Sequence, residues 1–199
     1  MTQIEPGLRI GEYVLDQHLG DGAFSSVWRA HHHYWVDDVE KVVAVKIPKP
    51  EYASNLFKDA LVHELQHPNI LRMVGFDPYG AVPYLMMEYV PGTNLRTLIK
   101  QKQLSPEQAA MILRQVLAGL GEAHQHGLVH RDIKPENILI HRDALVRGYD
   151  SPGVVKLADF GVGHAVEAIR GSIMISNVSV DGAIVGTIDY MSPDRKSVV

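Results

Sequence analysis

A chain of 199 residues, 46% apolar and 21% charged, is long enough to bury a core, and this composition excludes a disordered, collagen-like or coiled-coil chain. Its formal charge of −4 comes without any run of Lys or Arg, which excludes nucleic-acid binding driven by phosphate contacts. Cysteine is absent, so disulfides, thiolate metal sites and Cys nucleophiles are excluded, and a reducing compartment fits.

In chain order, Tyr13-Val14-Leu15, Ser26-Val27-Trp28 and Lys41-Val42-Val43-Ala44-Val45-Lys46-Ile47 are short apolar runs broken by Gly and Pro, and they predict antiparallel strands. Between the first two lies Leu19-Gly20-Asp21-Gly22-Ala23-Phe24-Ser25-Ser26-Val27. Glycines there let backbone N–H groups approach a polyphosphate, although a plain hairpin would use the same residues. Lys46 closes an otherwise apolar strand, a place where lysine seldom serves stability; a side chain snorkelling to water is the alternative. His31-His32-His33 converge poorly on one ion, because neighbours on an extended segment point to alternate faces, and a solvated loop or strand edge is expected.

Tyr84-Leu85-Met86-Met87-Glu88-Tyr89-Val90 predicts a buried strand stopped by Pro91-Gly92, with a lobe boundary there. Ser105-Pro106-Glu107-Gln108 is a helix start with a capping box. Ala109, Ile112, Leu113, Val116, Leu117, Leu120 and Ala123 then form one apolar face, ended by Gly127. Strands first and helix later give an α+β class. No apolar run approaches the ~18 residues of a membrane span, and Met1-Thr2-Gln3-Ile4-Glu5 lacks the features of a leader. The chain reads as cytoplasmic, and a longer protein tethered to a membrane remains compatible with it.

His130-Arg131-Asp132-Ile133-Lys134-Pro135-Glu136-Asn137 and Asp159-Phe160-Gly161 complete an ordered set of four elements: glycine loop, strand lysine, catalytic loop and metal-binding Asp-Phe-Gly. With them the sequence resembles serine/threonine protein kinases of the bacterial type similar to eukaryotic kinases, from about Tyr13 to Pro193. The resemblance implies a bilobal fold, with a β-rich N-lobe over about 10–90 and a partial helical C-lobe over about 91–193. It also implies ATP and Mg²⁺ as cofactors, transfer of the γ-phosphate to Ser/Thr hydroxyls of protein substrates, and autophosphorylation.

The same resemblance assigns roles. Leu19, Gly20 and Gly22 cover the nucleotide, Lys46 holds its α and β phosphates, and Val27, Ala44 and Leu139 sandwich the adenine. Met87 is the gatekeeper, and the backbones of Glu88 and Val90 meet the adenine edge. Asn137 and Asp159 bind metal as hard oxygen ligands. Asp132 accepts the substrate proton, and Lys134 beside it stabilises the transferred group. Arg131 pairs with a phosphate on the segment 161–193, with Ser172, Ser176 and Ser179 as the first candidates; Thr187, in the substrate-docking stretch Gly186–Pro193, contacts the catalytic Asp and Lys.

Three departures stand out. Ser25 replaces the third glycine. The acid that pairs with the strand lysine is expected where Lys58 stands, which leaves Asp59, with Glu64 as a weaker candidate. Asp194-Arg195-Lys196-Ser197-Val198-Val199 are expected to be foreign, because a widely used sequencing adapter encodes these residues in one reading frame. A nucleotide-binding pseudokinase or scaffold is the alternative function; a small-molecule phosphotransferase is disfavoured by Lys134-Pro135 and by the docking stretch.

Overall fold

The computed structural model describes residues 2–35, 38, 41–55, 65–160 and 190. Contacts divide the chain into two compact units, residues 1–66 with 71–90, and residues 67–70 with 91–199.

The first unit is a six-stranded antiparallel sheet of β1 (Arg9–Ile10), β2 (Tyr13–Asp21), β3 (Ser25–His32), β4 (Val42–Pro48), β5 (Met73–Asp77) and β6 (Tyr84–Glu88), in the order β1-β2-β3-β4-β6-β5. Its strands are rich in β-branched and aromatic residues whose alternation sorts them by face. One face buries Leu15, Trp28, Ala30, Val43, Val45, Ile47 and Met86 in the main core. The other carries Ala44, Leu85 and Met87, with Val27, Leu71 and Met73 packed against them.

The second unit combines helices with a small antiparallel sheet, β7 (Gly92–Asn94), β8 (Ile138–His141) and β9 (Val155–Leu157), in that order. Its helices are α1 (Leu95–Lys100), α2 (Pro106–Gln125) and α3 (Ala144–Arg147). The α2 start is as predicted: Ser105 Oγ accepts from Gln108 N–H, Gln108 Oε1 accepts from Ser105 N–H, and Pro106 opens the first turn. A cap of this kind is worth about 1 kcal/mol. Gly127, just past the end, has φ +72, the left-handed conformation that glycine adopts at no steric cost.

Three expectations are corrected. The strand at Tyr84 ends at Glu88, and Gly92 begins β7 rather than only ending a run. Gly92 is needed there because a Cβ would collide with the Ile140 carbonyl oxygen. Leu113 and Leu117 are exposed, 53% and 66%, whereas Gln115 and Gly119 are buried. The buried arc of α2 is therefore rotated away from the leucines, toward Ile112, Val116 and Ala123. His31 and His32 lie not on a loop or an edge but at the end of β3, an inner strand between β2 and β4. There His31 Nδ1 is 2.9 Å from Asp16 Oδ2 and His32 Nε2 is 3.4 Å from Glu12 Oε2. Among the described residues no group of three or more His, Cys, Asp or Glu side chains is gathered so as to hold a metal ion.

Gln115 explains the rotation. Its Nε2 donates to the carbonyls of Tyr149 (2.7 Å) and Ser151 (3.0 Å), and its Oε1 accepts from Asn69 Nδ2 at 2.5 Å. The same Asn69 nitrogen reaches the Val155 carbonyl at 2.9 Å, and Leu157 N–H donates to Asn69 O at 2.9 Å. A buried polar side chain is tolerated only when it is satisfied in this way.

Gly119 and Gly121 on α2 give a paired test. A Cβ at Gly119 would lie 2.8 Å from the Asn69 carbonyl oxygen, whereas one at Gly121 meets nothing within 4 Å. Gly119→Ala is expected to destabilise by roughly 1–3 kcal/mol through overpacking, and Gly121→Ala to stabilise by about 0.8–1 kcal/mol through helix propensity. Denaturant midpoints of the two variants check this; shifts of the same sign would contradict the packing described.

Candidate active site

In the first unit, strand register decides which residues share a face. Gly20 is opposite Val27, Val27 opposite Lys46, and Lys46 opposite Leu85; in the next row Ala44 is opposite Met87 and Met87 opposite Met73. Directly opposed residues lie on one side of a sheet. Lys46 is therefore on the face of Val27, Ala44 and Met87, away from the main core that takes Val43, Val45 and Ile47. It is half-buried, as is Val27.

The glycine-rich turn is held at its tip. Gly22 N–H donates to Ser25 O at 2.7 Å, Lys49 N–H to Phe24 O at 2.9 Å, and Lys49 Nζ to Ala23 O at 2.8 Å. Phe24 is exposed, and its ring stands edge-on to Tyr52 with centroids 4.8 Å apart. Ser25, at the place of the third glycine, is buried and pairs with Pro48. A Cβ at Gly20 would meet nothing within 4 Å, so packing does not require glycine there and open space remains beside its backbone. Leu19 is exposed and Val90 half-buried. Glu88 is clamped to the start of β5: its N–H donates to Arg72 O (2.9 Å), and its Oε1 accepts from Arg72 N–H (2.7 Å).

In the second unit the loop from His130 to Asn137 is organised around Asp132. Lys134 Nζ is 2.6 Å from Asp132 Oδ2. Asn137, buried, donates from Nδ2 to Asp132 O at 2.8 Å and to Asp132 Oδ2 at 3.2 Å. Ala158 N–H donates to Asn137 O at 2.8 Å, which ties the loop to the residue before Asp159. Arg131 (φ +65) and Asp159 (φ +56) both adopt left-handed backbone, a conformation that costs a non-glycine residue about 1–3 kcal/mol and that persists where surrounding structure over-determines it. Arg131 is half-buried and Asp159 exposed, while Leu139 is half-buried on β8, opposite Asn94 and Lys156.

His130 is a residue to which the sequence assigned no role. It is 1% exposed. Its Nε2 lies 2.9 Å from Ala158 O, its Nδ1 is 3.4 Å from Asp132 N, and its ring is 4.5 Å from that of Phe160. The pattern assigns a neutral imidazole with the proton on Nε2, donating to Ala158 O and accepting from Asp132 N–H. Its signal in the sequence was its place immediately before Arg131-Asp132. Asp59, Glu64, Ser172, Ser176, Ser179 and Thr187 lie outside the described residues.

Burial holds His130 below the usual imidazole value, against the raising influences of its bond to Ala158 O and of Asp159 and Asp132. The folded protein therefore refuses a proton that the unfolded chain accepts below about pH 6.5. Stability is full above that pH and falls as pH drops through it toward the depressed folded value. Replacing His130 with Phe is expected to make the loss of stability between pH 7 and 5.5 shallower than in the wild type. Denaturant midpoints across that range measure it; identical slopes would show that His130 does not titrate in this way.

The protein kinase domain family matches residues 13–196. The chain is 33% identical over 201 aligned residues to the serine/threonine-protein kinase PknL of Mycobacterium tuberculosis, covering 96% of this chain and 45% of that protein. It is 31% identical over 200 to PrkC of Bacillus subtilis, covering 95% of this chain and 28% of PrkC. The chain thus spans less than half the length of these relatives. Among solved structures, the M. tuberculosis PknI kinase domain superposes with a TM-score of 0.63 at 24% identity, covering 80% of this chain and 64% of that one. Rad53 1–466 in complex with AMP-PNP gives 0.61 at 29%, covering 76% and 38%.

Proposed function

This chain belongs to the protein kinase family, and on that premise we propose that it transfers the γ-phosphate of ATP to Ser/Thr hydroxyls of proteins, itself included. The observation that carries the reading is the Asp132 carboxylate, held by Lys134 Nζ at 2.6 Å and by Asn137 Nδ2 at 3.2 Å.

Asp132 accepts the proton of the incoming hydroxyl as general base. Lys134 fixes the carboxylate's direction and supplies positive charge beside the transferred group. Phosphoryl transfer depends on such positioning and charge neutralisation rather than covalent chemistry. Asn137 fits a metal role because its amide nitrogen is committed to Asp132, which leaves its oxygen as the atom that a hard cation would take. Asp159 is the second ligand. Mg²⁺ held by these two would neutralise phosphate charge.

At the nucleotide end, Val27 and Ala44, on one sheet face with Met87 and Lys46, supply apolar surface for the adenine together with Leu139. Met87 acts as gatekeeper, the backbones of Glu88 and Val90 meet the base edge, and Lys46 takes the α and β phosphates. Leu19, Gly20 and Gly22 cover the phosphates, for which the open space at Gly20 is suited. Asp59 is the proposed partner of Lys46. Arg131 receives a phosphate from Ser172, Ser176 or Ser179, and Thr187 supports Asp132 and Lys134. A cytoplasmic site of action belongs to the same reading; among the described residues no helix is long and apolar enough to cross a membrane.

The decisive experiment is transfer of radiolabelled γ-phosphate to the chain itself and to generic Ser/Thr substrates. The wild type is expected to incorporate label. Asp132→Asn is expected to lose at least about 100-fold in rate, the scale of general-base catalysis, while its melting point still rises with Mg·ATP. Equal incorporation by both, or none by a folded wild type that binds nucleotide, would overturn the assignment, the second outcome in favour of a binding scaffold.

A further inference from the structure

Arg96 joins two parts of the second unit that are far apart in sequence. Its Nη1 donates to the Tyr190 hydroxyl at 2.9 Å, and its Nε lies 3.4 Å from Glu136 Oε1. Glu136 belongs to the 3₁₀ turn Pro135–Asn137, immediately before Asn137. Tyr190 belongs to the stretch Gly186–Pro193 that resembles a substrate-docking segment. The three side chains span a helix, the catalytic loop and the docking stretch.

The backbone that carries Arg96 is anchored. Asn94 caps α1 by accepting from Thr97 N–H and Thr97 Oγ1, each at 3.0 Å. Leu95 and Leu98 are buried, and α1 packs on the 3₁₀ turn. Glu136 Oε2 is buried and has no hydrogen-bond partner among the described residues, while the Arg96 and Glu136 side chains are 42% and 41% exposed. An ion pair this exposed adds little stability, so its contribution is to the direction of the guanidinium between Glu136 and Tyr190. A guanidinium suits the task. Its planar fork donates from Nη1 to Tyr190 while Nε stays within ion-pair distance of Glu136, a pairing that a single lysine ammonium reproduces poorly.

We propose that Arg96 is a positioning residue for the protein substrate, holding Tyr190 to the catalytic loop through Glu136. Its role involves neither the nucleotide nor the reacting atoms. Its effect falls on the affinity for peptide and not on nucleotide binding. The kinetic consequence rests on the kinase reading above, whereas the mechanical link does not.

The test uses the full 199-residue chain and the variants Arg96→Ala, Arg96→Lys, Tyr190→Phe and the Arg96→Ala/Tyr190→Phe double. Hydrogen exchange of peptides containing Tyr190 reads the link directly. Exchange is expected to quicken equally in Arg96→Ala and Tyr190→Phe, to quicken no further in the double variant, and to be only partly restored in Arg96→Lys. In peptide phosphorylation Arg96→Ala, Tyr190→Phe and the double variant should raise KM for peptide by about tenfold, the loss of one charge-assisted hydrogen bond, and Arg96→Lys by less, with KM for ATP unchanged. Unchanged exchange at Tyr190 in Arg96→Ala, additive effects of the two single changes, or a loss confined to ATP affinity would each overturn the proposal. If the wild type transfers no phosphate, the kinase reading fails and the exchange measurement still decides the role of Arg96.

Discussion

The second unit is organised around Asn137. Its side-chain nitrogen holds Asp132 through both the backbone and the carboxylate, while its backbone carbonyl accepts from Ala158 N–H. His130 takes the other polar group of the same residue, the carbonyl of Ala158. Ala158 is thus gripped from both sides by one loop. The positions of Asp132 and Asp159 are thereby fixed relative to each other by short hydrogen bonds, not by side-chain packing alone. The left-handed backbone at Arg131 and Asp159 is the conformational cost of that arrangement, and the hydrogen bonds around it offset the cost.

A second polar network supports the first. Asn69 and Gln115 are both buried, and between them they satisfy carbonyls of Tyr149, Ser151 and Val155. Because Leu157 N–H also donates to Asn69 O, β9 is fixed in register one residue before Ala158. Interior polar groups of this kind are costly unless every member is satisfied. Here they set strand register beside the loop that carries Asp132, which apolar contacts, being non-directional, specify less sharply.

The grouping around Asp132 was legible in the sequence, because the proposed phosphoryl transfer restricts which side chains can serve. An Asp with a Lys two residues on and an Asn five residues on leaves few other readings, and the structure joins those three by hydrogen bonds. The capping box at Ser105 was legible for a similar reason: one short motif satisfies two orphan donors. The width of a buried face was not. Apolar periodicity placed Leu113 and Leu117 in the core, whereas Gln115, polar by type, lies there because its partners at Asn69, Tyr149 and Ser151 are distant in sequence. β7 was hidden by Pro91-Gly92, whose glycine makes room for Ile140 O as well as suiting a turn. The link from Arg96 to Tyr190 crosses 94 positions, and no local pattern reports it.

We propose that Lys46, on the face of Val27, Ala44 and Met87, binds the phosphates of ATP, and that Asp159, next to the gripped Ala158, binds Mg²⁺. The melting point of the folded chain with Mg·ATP, with ATP and EDTA, and without nucleotide tests it most directly, since a ligand that binds only the native state at 100 times its Kd stabilises by about 2.7 kcal/mol. A rise with Mg·ATP that shrinks when the metal is chelated is expected, with the Mg-dependent part lost in both Lys46→Met and Asp159→Asn. A wild-type melting point unmoved by millimolar Mg·ATP, or a rise that survives both substitutions, would contradict it.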